Sequence, residues 1–382
     1  MTEYYLWLLQ FMGAANPRSV QLIKRFGSAG EVYRAYTENP ERFAKLANAQ
    51  NSASLEESKN ILDLCERHGY RVITLEQPDY PPALKNIYNP PVVLFVAGEL
   101  SLDELTIAVV GTREACEYSF RATKRLCMSL VKAGAVIISG MAIGIDKTAH
   151  TAAVENGGKT IGVLACGFAV DYPKHSTPFR QEILNQGGAI VTELLPDSRG
   201  ERGYFNQRNR IISGLSRGVL LVEAAEKSGC HITAAHAVSQ NRDLFCIPPA
   251  DIFNERFSGV VGYLRDGAIP VFSHDDILNE YRITPVYENV TGGLPAEAVP
   301  MADNTPVKSF TAIPEKPPAV DLSELSPEAA QVAELLRDGV KTVDFIAGET
   351  GRTADELSDL LLEMELDGVI ESAAGSGYRL CL

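Results

Sequence analysis

The stretch "SGMAIGIDKTAH" (139–150) brings together residues that could hold an anion. It follows the apolar run "AGAVII" and opens into "DKTAHTAAVENG", a helical pattern stopped by Gly157. A strand, a turn containing Gly140 and Gly144, then a helix start is how α/β proteins hold phosphate, because unpaired backbone N–H groups converge there. The spacing matches neither GxGxxG nor a GK[ST] loop, which disfavours a dinucleotide or a nucleoside triphosphate. Asp146, in the first helical turn, reads as a cap for local N–H groups, since a carboxylate there repels phosphate. In "VVGTRE", Gly111 lets the backbone approach an anion and Arg113 offers forked donors suited to phosphate oxygens. In "FNQRNRIISGLSRG", Arg208 and Arg210 flank Asn209; on a helix they diverge by about 200° and only a loop lets both grip one group. Tyr172 and Phe179 flank Lys174 in "DYPKHSTPF", and Phe205 precedes the arginines. Cations among aromatics suit a single nucleic-acid strand, where charges track the backbone and rings stack on bases, although each ring alone reads as core.

Catalytic groups are harder to find. His150 lies four residues after Asp146, and His231 and His236 lie near Thr233, but none has a partner at metal-ligand spacing. There is no GxSxG or HExxH. Glu193 and Glu223 are the best carboxylate pair, and nothing in the sequence makes them face one another.

These residues need elements to position them. Between 105 and 280, "LTIAVVG", "AVIISG", "TIGVLACG", "AIVTELL", "GVLLVEA" and "DLFCIP" are short β-branched runs, most of them separated by helical stretches. That alternation predicts an α/β core with a parallel sheet, ligands lying outside the carboxyl ends of its strands. "YRVITL" and "PVVLFVAG" are candidates to extend the sheet. Residues 1–70 read as a helical module, either a plain helical bundle or a helix-hairpin-helix or SAM-like piece, ahead of a core over 71–282. Residues 283–320 hold seven prolines without apolar periodicity and read as a linker. Over 321–382, Ser326 caps a helix with Pro327 at its first position, Thr353 and Glu356 form a capping box, Gly339 and Gly368 are stops, and "VIESAAGSGYRLCL" reads as a hairpin. Three helices and a hairpin predict a winged helix.

The net charge of −14 at first disfavours nucleic acid, but it is unevenly spread. Residues 281–382 hold 7 basic and 18 acidic groups, whereas 199–217 hold five arginines and one acid. A local basic site survives on an acidic protein because screening limits exposed charges to about 8 Å at physiological salt. The seven cysteines are scattered without a CxxC pair, which suggests reduced thiols in a cytoplasmic protein. No apolar run approaches a membrane span.

Taken in order, "YPPALKNIYNPPVVLFVAG", "VVGTR", "SGMAIGIDKTAH", "TIGVLACGF", "DYPK", "GAIVTEL", "FNQRNRIISGLSRGVLLVEA", "SGCHITAAHAV" and "RDLFCIP" resemble the bacterial DNA-processing protein A family (DprA, or Smf) over residues 75–280. The resemblance implies a Rossmann-like, homodimeric protein without cofactor or catalytic residues. It would bind single-stranded DNA and load the recombinase RecA in natural transformation. It places Gly111, Arg113, Ser139, Gly140, Gly144, Lys174, Arg208, Asn209, Arg210 and Arg242 along the DNA groove. The chain departs from the family pattern at Tyr118-Ser119, at Pro248-Pro249 and in "SGVVGYLRDGA". The apolar segment 259–272, with Val261 and Leu264, reads either as a homodimer face or as a core segment. The rival from a different class is a Rossmann-like enzyme acting on nucleotide phosphate or phosphoribosyl groups through Glu193 or Glu223.

Overall fold

The computed structural model describes residues 1–43, 46, 53–281, 326–337, 339–366, 369–373 and 377–380. The chain divides into two compact units, residues 1–40 with 46–286 and residues 41–45 with 287–382. The expected linker, 283–320, lies outside the described residues, as does Gly368.

The first unit opens with helices α1 (Thr2–Met12), α2 (Pro17–Phe26) and α3 (Ala29–Glu38), followed by the single turn α4 (Pro40–Phe43) and by α5 (Leu55–Arg67). Local chemistry sets these ends. Asn16 accepts from the Arg18 N–H with Pro17 at the first helical position, and Gly27 closes α2 in the left-handed region at φ 92°. Trp7 and Phe11 stack at 5.0 Å and meet Tyr33 and Tyr36 of α3. The helix α1 packs against the first two strands of a nine-stranded sheet.

Those strands are β1 (Arg71–Thr74), β2 (Val93–Gly98), β3 (Thr106–Val110), β4 (Val136–Ser139), β5 (Thr160–Val163), β6 (Ala189–Thr192), β7 (Gly218–Leu221), β8 (Asp243–Cys246) and β9 (Ile269–Pro270), in the order β1-β2-β6-β5-β4-β3-β7-β8-β9. The expected runs become β3 to β8, all parallel, and the two extra candidates become β1 and β2, which add antiparallel on β6. The chain winds outward from β3 to β6, then returns through α10 (Arg202–Gly214) to start β7 on the other side of β3. The strand order therefore reverses between β3 and β7, the position where open α/β sheets hold ligands.

Around the sheet lie α6 (Pro82–Lys85), α7 (Glu117–Lys132), α8 (Ile145–Glu155), α9 (Thr177–Asn185), α11 (Cys230–Ser239), α12 (Ser258–Arg265) and α13 (His274–Glu280). Ile107, Val109, Ile137, Leu220 and Phe245 pack with apolar residues of α7, α8 and α13. Their alternates Ala108, Val110, Ile138, Val219 and Leu221 point to the other side by the two-residue period, and they too are buried. Burial on both faces is why these strands read as continuous apolar runs.

The second unit holds α14 (Pro327–Leu335), β10 (Lys341–Thr342), α15 (Val343–Thr350), α16 (Ala354–Leu366), β11 (Ile370–Ala373) and β12 (Gly377–Leu380), with sheet order β10-β12-β11. The Ser326 hydroxyl accepts from the Ala329 N–H, and Thr353 and Glu356 exchange hydrogen bonds as the capping box requires. Val332, Ile346, Leu357, Leu361 and Ile370 form its core. The arrangement is a winged helix.

Candidate nucleic-acid interface

The loops that follow β3, β4 and β5 meet the first turns of α10 at one edge of the sheet. Gly144 is what lets two of them touch. It sits at φ 83°, and a Cβ there would lie 2.5 Å from the Thr112 carbonyl and 2.6 Å from that of Arg113. Gly111 is constrained by packing instead, since a Cβ there would lie 2.6 Å from the Ile145 side chain. Asp146 is the expected local cap: its Oδ2 accepts from the N–H groups of Gly140 (3.1 Å) and Ala142 (3.4 Å). Burial pushes its carboxyl pKa up, opposed mainly by the positive charge of Arg208.

The loop after β5 is held from within. The Asp171 carboxylate accepts from the N–H groups of His175 (2.7 Å), Ser176 (3.0 Å) and Thr177 (3.0 Å) and from the hydroxyls of Ser176 and Thr177. Those bonds, led by the one from His175, hold its pKa well below the usual carboxylate range. The buried Arg180 guanidinium donates to the carbonyls of Val170 (2.9 Å) and Tyr172 (2.8 Å). Sequence reading missed both residues; the visible signal for Asp171 was its place one loop ahead of "STP", a helix start.

On this frame Tyr172 is 40% exposed, and its ring meets that of Phe205 edge-on at 5.1 Å. The exposed Arg113 guanidinium lies 5.6 Å from the centre of the Phe205 ring. Lys174 is exposed on the same loop as Tyr172. Four side chains that could stack on bases or neutralise phosphates thus come from three separate segments. Phe179 does not join them; it packs inward, edge-on to His150 at 6.4 Å.

The other expected groove residues lie elsewhere. Arg208 and Arg210 are both within α10 and diverge as two helical residues two apart must. Arg208 is buried, its Nη1 donating to the carbonyls of Gly140 and Val163 and its Nε to the Asn209 side chain. Gly140 is glycine because a Cβ would lie 2.6 Å from Arg208 Nη2. Burial lowers the Arg208 pKa to about 10, so it keeps its charge at neutral pH. Arg210 forms a buried two-pronged ion pair with Glu193, both bonds 2.7 Å, and its Nε donates to the Asn89 carbonyl. The Ser139 hydroxyl is buried and donates to the Val109 carbonyl at 2.6 Å. Arg242 precedes β8 and so lies at the opposite edge of the sheet, where it donates to the carbonyls of Ala83 and Gly214. In the single chain, then, the guanidinium groups of Arg208, Arg210 and Arg242 all donate to oxygens of the same chain, unlike the exposed Arg113.

The carboxylate pair is also separated. Glu193 follows β6 and Glu223 follows β7, four strand positions apart, or about 19 Å at the usual spacing. Glu193 is committed to Arg210, whereas Glu223 accepts from the Cys116 N–H (2.9 Å) and pairs with Arg256 (3.2 Å). Among the described residues no three His, Cys, Asp or Glu side chains cluster as metal ligands would.

A family model described as DNA recombination-mediator protein A matches residues 71–282. The chain belongs to that family. A second model, the DprA winged helix domain, matches residues 315–376. Protein Smf of Escherichia coli (strain K12) is 35% identical over 338 residues, covering 88% of this chain and 84% of its own. The X-ray structure of DNA processing protein A from Streptococcus pneumoniae is similar at 31% identity and TM-score 0.58, covering 73% of this chain and 98% of that one. A solved structure of DNA processing protein A from Helicobacter pylori is 31% identical with TM-score 0.50, covering 56% of this chain and 95% of that one. The DprA match accounts for the order of the strand-end motifs. The burial of Arg208 and Arg210 shows that part of the "QRNR" motif serves the fold.

Proposed function

We propose that this DprA-family chain binds single-stranded DNA along the edge formed by the loops after β3 and β5 and the start of α10. The observation that carries this reading is the cluster of Arg113, Phe205 and Tyr172 with Lys174 nearby, held on loops braced by Asp171, Arg180 and Gly144. Rings half open to water accept the face of any base, while the two exposed cations neutralise the backbone. The relative from Helicobacter pylori is described for its single-stranded DNA binding mode, which supports the same ligand here.

In this reading the protein is a cytoplasmic, non-catalytic mediator that protects incoming DNA and loads RecA during natural transformation, acting as a homodimer through α12. Val261 and Leu264 of that helix are only half-buried in the single chain, which favours a face over a core segment. The commitment of Glu193 and Glu223 to other partners speaks against the phosphoribosyl-transfer alternative.

The test is binding of a labelled oligothymidylate across a salt series, with duplex DNA as the comparison. Arg113→Ala and Lys174→Ala should each weaken binding and flatten the log–log salt slope by roughly 0.7 per lost phosphate contact. Wild-type affinity and slope in both variants overturn the assignment.

A further inference from the structure

We propose that Ile252 and Phe253, on the loop that follows β8, form a second platform on which bases of the same single strand stack. The proposal rests on the reading of the neighbouring edge as a single-stranded DNA site. Phe253 is 89% exposed and Ile252 62%. Single apolar residues on a surface need no explanation, but two adjacent ones on a braced loop are a feature that invites a partner.

The brace is specific. Asp251 Oδ1 accepts from the Phe253 N–H (2.9 Å), and Asn254 Oδ1 accepts from the Arg256 N–H (3.1 Å). Phe257 is buried, and the Tyr118 hydroxyl donates to the Pro248 carbonyl at 2.7 Å. The loop is also tied to both flanks of Arg113. Arg256 Nη1 donates to the Glu114 carbonyl at 3.0 Å and pairs with the Glu223 carboxylate, which also accepts from the Cys116 N–H, while the Glu223 backbone carbonyl accepts from the Thr112 N–H. The loop that carries the apolar pair is therefore fixed to the segment that carries Arg113.

Charge selects what it can take. Glu114, Asp251 and Glu255 are exposed in the same region and repel phosphates. Bases are uncharged and offer a flat face, so they can approach while the backbone stays with Arg113 and Lys174. Contacts made here release no counterions, which separates this platform from the cationic one.

The experiment uses the full chain with Phe253→Ala and Phe253→Trp and an oligothymidylate ligand. Trp7 is the sole native tryptophan and is fully buried, so a tryptophan at 253 reports on its own surroundings. The expected results are quenching of the new fluorescence on DNA addition and an affinity about tenfold lower for Phe253→Ala. The salt slope and the melting temperature of Phe253→Ala should match wild type. If Phe253→Ala binds as wild type while Arg113→Ala binds weakly, the platform is refuted and the edge stands. If Arg113→Ala and Lys174→Ala also bind as wild type, the edge itself is refuted. A change in sedimentation of Phe253→Ala with unaltered affinity per protomer would assign the pair to a protein contact and overturn the proposal.

Discussion

Arg208→Ala should destabilise the first unit heavily, because this arginine holds strand ends together from inside. Its guanidinium is buried and donates to the Gly140 carbonyl at the end of β4 and the Val163 carbonyl at the end of β5. Hydrogen bonds from a charged donor contribute about 1.5–3 kcal/mol each. Truncation also leaves the buried Asp146 without the cation that opposes its desolvation. Removing one member of a buried charged network typically costs about 3–5 kcal/mol, against a total domain stability of about 5–15 kcal/mol. Urea unfolding followed by the fluorescence of Trp7, which is buried in α1, reads this loss as a lower midpoint. Arg208→Lys keeps the charge but not the fork, so it should fall between wild type and alanine. Arg113→Ala, at an exposed site, should leave the unfolding free energy within about 1 kcal/mol of wild type while weakening DNA binding. A loss below about 1 kcal/mol for Arg208→Ala would refute the tie, and a direct role at the DNA surface would then be its better account.

His150 is buried, and its Nδ1 lies 2.7 Å from the Thr160 hydroxyl, which itself donates to the Ile137 carbonyl; Nδ1 must therefore carry a proton, and burial lowers the imidazole pKa to about 3. The unfolded chain takes up a proton near pH 6.5 that the folded one refuses, so stability present above pH 6.5 is lost as pH falls toward 3, by about 1.4 kcal/mol per unit; urea midpoints for His150→Gln should lack this limb. Leu264→Glu on α12 should give a folded monomer with weaker, less cooperative DNA binding, and a variant that stays dimeric by sedimentation rules that face out. Deletion of residues 321–382, which hold 4 basic and 14 acidic groups, should leave single-strand affinity unchanged or raise it, since so many carboxylates repel phosphates; a clear loss in a folded truncated protein contradicts this.

The elements were legible because their signals are local. Continuous β-branched runs became β3 to β8, and Ser326-Pro327 and Thr353 with Glu356 became helix starts, since each cap is closed by residues a few positions away. The two-residue strands β9 and β10 were missed, as pairs that short carry no periodicity. The aromatic and cationic residues of "VGTR", "DYPK" and "YFNQRNR" could be named from the sequence, but not sorted.

Sorting them took the tertiary structure. Arg113, Arg208, Arg210 and Arg242 are chemically identical, and each sits in a motif of similar type. Only Arg113 keeps an exposed guanidinium at the strand-end surface, because the chain folds α10 beneath β4 and β5 and sets Glu193 against Arg210. Likewise Glu193 and Glu223 end similar strands, yet the reversal of strand order puts three strands between them. Local sequence fixes backbone hydrogen bonds within a few residues, and so it determined the elements. Burial and charge pairing depend on which distant segments pack together, and so the tertiary structure alone decided which cations stay exposed and which are paired within the chain.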